Sequence, residues 1–368
     1  MKRRPSLSQL SLFEDPTSTP SPEADVASPP APGLDGVGDE PASFDASLAA
    51  TQDASWDVGF AAPDEALVAL AARMPAHVRL GTSSWAFPGW QGLVYQRTYP
   101  DAPAFTRLSL EEYARFPLFR TVGIDRSFYA PIPEAELAGY RAQLPDGFRC
   151  AMKVWSELTT YSFPLHPTLG ARAGQLNPRF LDVEAFREHV SGPVQRAFGG
   201  ALGAFVLEIP PPAVRPYPVV FGRALERFLT EAPRPFDYVV ELRDRRMLDA
   251  RHLALLAANG AGHVFNHWSR MPSIGEQVAI PGAVMGPRVV ARIMLPPGTE
   301  YEARKRSFAP FDRVVSADPG MRKGVVALAR ACEERGFELD VIVNNKAEGC
   351  APLTVRALAE RLAGDAGR

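Results

Sequence analysis

Six charged residues recur at the same kind of position along this 368-residue chain. Asp125, Lys153, Glu208, Glu241, Arg243 and Arg292 each stand at or near the end of a short apolar run. Charged side chains are rarely buried unless paired, so a ring of them beside buried segments marks a polar site or a set of reciprocal ion pairs such as Lys153 with Glu208. The three carboxylates Asp125, Glu208 and Glu241 are hard oxygen ligands of the type that holds Mg²⁺ or Mn²⁺. Lys153, Arg243 and Arg292 are the groups that would neutralise a phosphoryl transition state. Further polar or aromatic residues fall at equivalent positions: Ser83, Trp85, Tyr129, Trp155, His267 and the run Asn344-Asn345-Lys346. The last run precedes a helix start and is suited to hold a phosphate or other part of a substrate. Metal-assisted phosphodiester hydrolysis is the first chemistry this set implies. A binding barrel without turnover, for nucleic acid or protein, is the second. A glycoside hydrolase using Glu208 and Glu241 ranks third, because a further carboxylate is lacking where Arg292 stands.

The elements that must position these residues are legible as eight strand-like runs: 78–83, 121–125, 148–154, 204–208, 238–242, 262–266, 289–294 and 339–344. Most are unbroken Val, Ile, Leu, Phe and Ala, the pattern of strands buried on both faces. Amphipathic segments separate them. Residues 106–116 stop at Pro117, 247–258 end on Asn259-Gly260, Asp318-Pro319 opens a helix running to Gly336, and Pro352 opens the last one. Eight such repeats predict a (β/α)8 barrel, the α/β TIM-barrel class, over residues 77–368. An open doubly wound sheet is the alternative. No G-x-G-x-x-G and no phosphate-binding G-x-x-x-x-G-K-[ST] loop supports a nucleotide cofactor.

Residues 1–76 read as a disordered, acidic, Pro-rich tail. They hold 4 basic and 12 acidic residues, which leaves 36 basic and 30 acidic in residues 77–368. That net of +6 permits contact with DNA without demanding it. Cys150, Cys332 and Cys350 show neither metal-ligand spacing nor a disulfide framework, as in a reducing interior. Met1-Lys2-Arg3-Arg4 is followed by no apolar run, and no segment has the length and hydropathy to span a membrane, so a cytoplasmic location is expected.

Within the tail, Gln9-Leu10-Ser11-Leu12-Phe13 is the densest apolar cluster. It resembles the strict form of the bacterial sliding-clamp-binding peptide, Q-L-[SD]-L-F. By average residue usage such a match arises in about one chain per thousand of this length. The resemblance implies a partner, the ring that holds DNA polymerase on its template, and thereby replication or repair. A stray apolar patch, or a segment that packs on its own barrel, is the rival reading.

Across the folded part, Gly81-Thr82-Ser83-Ser84-Trp85 with Pro88-Gly89-Trp90 resembles the opening of the "domain of unknown function 72" family of TIM-barrel proteins. Ile124 to Tyr129, Lys153, Ile209-Pro210-Pro211, Glu241 with Arg243, and Asn344-Asn345 with Ala351-Pro352 are similar to later family blocks. The resemblance implies a barrel and no reaction. Several positions depart from it. Gly123 and Asp125 replace the usual Glu and Asn, Glu208 replaces a Gln, and Thr160, Asp244 and Met294 stand where histidines are expected. An activity that relied on those imidazoles would be altered or lost here.

Overall fold

A computed structural model describes residues 60–164, 167–211, 218–286 and 288–365. The expected disordered tail, with Gln9–Phe13, lies outside the described residues up to position 59. Eight parallel strands close into a barrel in sequence order: β1 Val78–Thr82, β2 Thr121–Ile124, β3 Arg149–Lys153, β4 Leu202–Ile209, β5 Tyr238–Leu242, β6 Gly262–His267, β7 Arg288–Ile293 and β8 Glu338–Val343. Helices lie between strands, as parallel connections require. The TIM-barrel expectation is met, and strand bounds agree within two residues.

Strand alternation builds the barrel in layers. Side chains facing outward, such as Val122, Leu207, Val240, Phe265 and Val341, join the large core beneath the helices. Ala151, Ala204, Val206, Val239, Val264, Val290 and Ile342 form a separate apolar layer inside the barrel. Below that layer, Arg79 and Arg288 converge on buried Asp340 at 2.6 and 3.2 Å, with Arg79 also bonded to Glu338 and Arg288 to Asp237. Above it lie the charged residues singled out from sequence. The strands come close at Gly81, where a Cβ would sit 1.8 Å from the Thr121 carbonyl oxygen. Only glycine fits there.

A short helix precedes β1. Glu65–Ala72 is a helix capped by Asp64, and Leu67, Leu70 and Ala71 are buried against the barrel. Eight residues beside acidic and Pro-rich sequence carry too weak a periodic signal to separate from the tail. Among the described residues no helix is long and apolar enough to cross a membrane.

Candidate functional site: a buried charge network at the barrel mouth

The pleat brings all six charged candidates to the inner face at the C-terminal end of the barrel. Glu208 and Glu241 occupy paired positions on β4 and β5. Side by side, two carboxylates would repel. Two guanidiniums bridge them. Arg243, two residues beyond Glu241 and therefore on the same face, donates from Nη2 to Glu208 Oε2 at 2.7 Å and meets Glu241 Oε1 at 2.8 Å. Arg292, from β7, donates from Nη1 to Glu208 Oε2 at 2.9 Å and to Glu241 Oε2. Its Nη2 reaches both oxygens of Asp125, at 2.8 and 3.0 Å. Lys153 Nζ lies 3.0 Å from Glu208 Oε2 and 3.5 Å from Asp125 Oδ2, over the Phe128 ring.

Three cations thus meet three carboxylates. Burial alone would raise the Glu208 carboxyl, but Arg243, Lys153 and Arg292 outweigh it and hold the group far below the usual carboxylate range. Burial likewise would lower Arg292, and Asp125, Glu241 and Glu208 raise it instead. Glu208, Glu241, Arg243 and Arg292 are at most 1% exposed. Asp125 differs. It sits past the strand, in the 3-10 turn Asp125–Phe128, with its side chain 24% exposed. Ser127 fixes that turn by donating to the Ile124 and Lys153 carbonyls.

The network is not saturated. Glu208 Oε1, Arg243 Nε and Nη1, and Asn266 Oδ1 are buried without a hydrogen-bond partner. A buried polar atom left unpaired costs about 1–3 kcal/mol, so these atoms mark where water or a polar ligand completes the site. Asn266 donates to the Leu242 carbonyl at 2.6 Å and weakly to Glu241. The Arg243 guanidinium stacks 3.9 Å from the Trp268 ring.

The candidate metal ligands Asp125, Glu208 and Glu241 are met here by the protein's own cations. The Arg292 guanidinium bonds to all three carboxylates, the place a divalent cation would need, and a second positive charge there would be repelled. Among the described residues no group of three or more His, Cys, Asp or Glu is arranged to hold a metal ion.

The remaining candidates divide. Ser83 and Asn344 join at the rim, Asn344 Nδ2 donating to Ser83 Oγ at 2.8 Å. His267 is buried at the end of β6 with Nε2 3.1 Å from Asp318 Oδ2; burial lowers its pKa, and Asp318 opposes that. Lys346 Nζ lies over the Tyr301 ring, 4.6 Å from its centroid, and among the described residues no carboxylate pairs with it. Asn345 is structural: its Oδ1 accepts from Ala351 N, at the start of the last helix, and from the Trp90 indole. Trp85 is in the core, its indole donating to the Thr106 carbonyl and its ring edge-on to Tyr140. Tyr129 is 38% exposed on the rim, and Trp155 is half-buried against His189. Trp268, the aromatic surface beneath Arg243, was not among the sequence candidates, whereas Phe128, beneath Lys153, lies in the Ile124 to Tyr129 run at the end of β2. The position of Trp268 just past a strand end was the available signal.

The relatives of this chain are consistent with its geometry. The family described as protein of unknown function DUF72 matches residues 79–367. The chain belongs to the DUF72 family. No curated protein matches it. Among solved structures it is similar to a DUF72 family protein from Enterococcus faecalis V583, with a TM-score of 0.53 and 17% identity over 78% of this chain and 95% of that one. A DUF72 family protein from Thermotoga maritima MSB8 gives a TM-score of 0.53 and 17% identity, over 77% of this chain and 98% of that one. At such identity these DUF72 structures speak to the fold alone.

Proposed function

We propose that this DUF72 barrel is a metal-independent binding module, delivered to the bacterial sliding clamp by Gln9–Phe13 and meeting DNA there in replication or repair. The binding reading is carried by Arg292. With its guanidinium among Asp125, Glu208 and Glu241, the carboxylates that metal-assisted hydrolysis would use are already neutralised. Unpaired donors on Arg243 and the exposed edge of Asp125 leave the mouth able to take a polar ligand without rearranging the strands. The tether rests on the pentapeptide, in which Leu10, Leu12 and Phe13 supply apolar anchors and Gln9 an orienting amide. The excess of six positive charges in residues 77–368 permits DNA as the ligand.

Titrating purified clamp with the full chain and with its Leu12→Ala/Phe13→Ala variant tests the tether. Loss of the anchors should cost about 2–4 kcal/mol of binding. Equal affinity for both would remove the clamp from the reading. In parallel, nicked, abasic and lesion-bearing DNA with Mg²⁺ or Mn²⁺ should be bound and left intact. Cleavage that disappears in Glu241→Gln would replace binding by catalysis.

A further inference from the structure

Asp125 stands apart from the other acids of the mouth in two respects. It alone has solvent on its carboxylate, 24% exposed against 0% for Glu208 and Glu241. It projects from a 3-10 turn beyond β2, whereas the two glutamates are fixed within strands. Its partners, Arg292 Nη2 at 2.8 Å and Lys153 Nζ at 3.5 Å, are donors from two different strands that converge on one pair of oxygens. Two cations converging on a two-oxygen anion with a solvent-exposed edge describe an oxyanion-binding site. Here the chain's own carboxylate fills it.

We infer that Asp125 is a displaceable internal counter-ion, and that the Arg292–Lys153 pair behind it takes the terminal phosphate of a nucleic acid. This deepens the DNA-binding reading and rests on it for the nucleic-acid part. The charge balance supports exchange over simple addition. With Asp125 in place the network holds three positive and three negative groups. If Asp125 swings out on its turn, one positive charge remains uncompensated in a site of low dielectric, and an incoming anion restores neutrality. A phosphate monoester matches the site in charge and in its oxygens, which Arg292 and Lys153 can bind together. The burial of both cations, 1% for Arg292 and 7% for Lys153, selects a strand end over an internal phosphodiester, because only a terminal group reaches that depth. The partly exposed rings of Tyr129 and Trp155 at the rim give the first base a surface to stack on.

Inorganic phosphate is the first probe, titrated calorimetrically into wild type and Asp125→Asn at matched ionic strength. Removing the internal competitor should tighten phosphate binding at least about tenfold. Adding Lys153→Met to Asp125→Asn should abolish the gain. Asp125→Ser, a smaller polar replacement, serves if the asparagine variant does not fold, and thermal melts establish that each variant is native. Equal phosphate affinity in wild type and both Asp125 variants would overturn the inference, even where DNA binding persists. The second probe is a single-stranded oligonucleotide with and without a 5′- or 3′-phosphate. Preference for a phosphorylated end, stronger in Asp125→Asn, supports the terminal-phosphate assignment. Tight binding of inorganic phosphate with no preference between the oligonucleotides would overturn the terminal-phosphate assignment while leaving the oxyanion site, and binding of neither oligonucleotide would overturn the DNA reading as well.

Discussion

Arg292 is the residue on which the mouth turns. It is buried, and its two terminal nitrogens serve Asp125, Glu208 and Glu241. Replacing a buried ion pair by apolar groups can be neutral, but removing one partner leaves charge uncompensated. Arg292→Met should therefore destabilise the barrel by about 3–5 kcal/mol in urea unfolding near neutral pH. Arg292→Lys keeps the charge, loses the forked geometry, and should lose less. Unchanged stability in Arg292→Met would mean that the carboxylates are neutralised in another way. Much of this site was legible as residue types at strand ends. Its partnership was not. Glu241 and Arg243, two apart on one strand, did signal opposite charges on a common face, but the position of Arg292 among three acids depends on contacts across strands that no local pattern encodes.

At the scale of elements, β6 and the helices packed on it carry a second buried polar group. His263, on β6, faces the core with Nε2 3.2 Å from Gln277 Oε1, and His252 lies close by on the helix Ala250–Ala258. Burial pushes His263 down to about 4 against the help of Gln277, and pushes His252 down to about 3, with His263 adding to the effect. Both folded values lie below the unfolded value near 6.5. The unfolded chain therefore binds more protons as pH falls, and the stability present above about 6.5 declines toward pH 4. The loss should reach a few kcal/mol, read as a falling midpoint in denaturant titrations at pH 7, 6, 5 and 4. His263→Gln should flatten that decline; an equally steep profile would place its origin elsewhere. The strands themselves were readable because runs buried on both faces stay apolar along their length. The helix Glu65–Ala72 was not, since its stability comes from packing Leu67 and Leu70 against the barrel more than from local sequence.

The whole molecule divides its charge between an acidic N-terminal stretch and a mildly basic barrel. DNA binding through the barrel should weaken steeply between about 50 and 200 mM salt, because neutralised phosphates release counterions. Gel-shift titrations across that range check it, and salt-insensitive binding would exclude a phosphate-dominated contact. The far end of the barrel sets a further condition. Arg79, Arg288 and Asp340 cross-link its floor beneath the apolar inner layer. The cylinder is therefore sealed at that end and can be approached only at its mouth. Nothing can thread through it, arrival and departure must share a single path, and an occupant has to back out before a successor can enter.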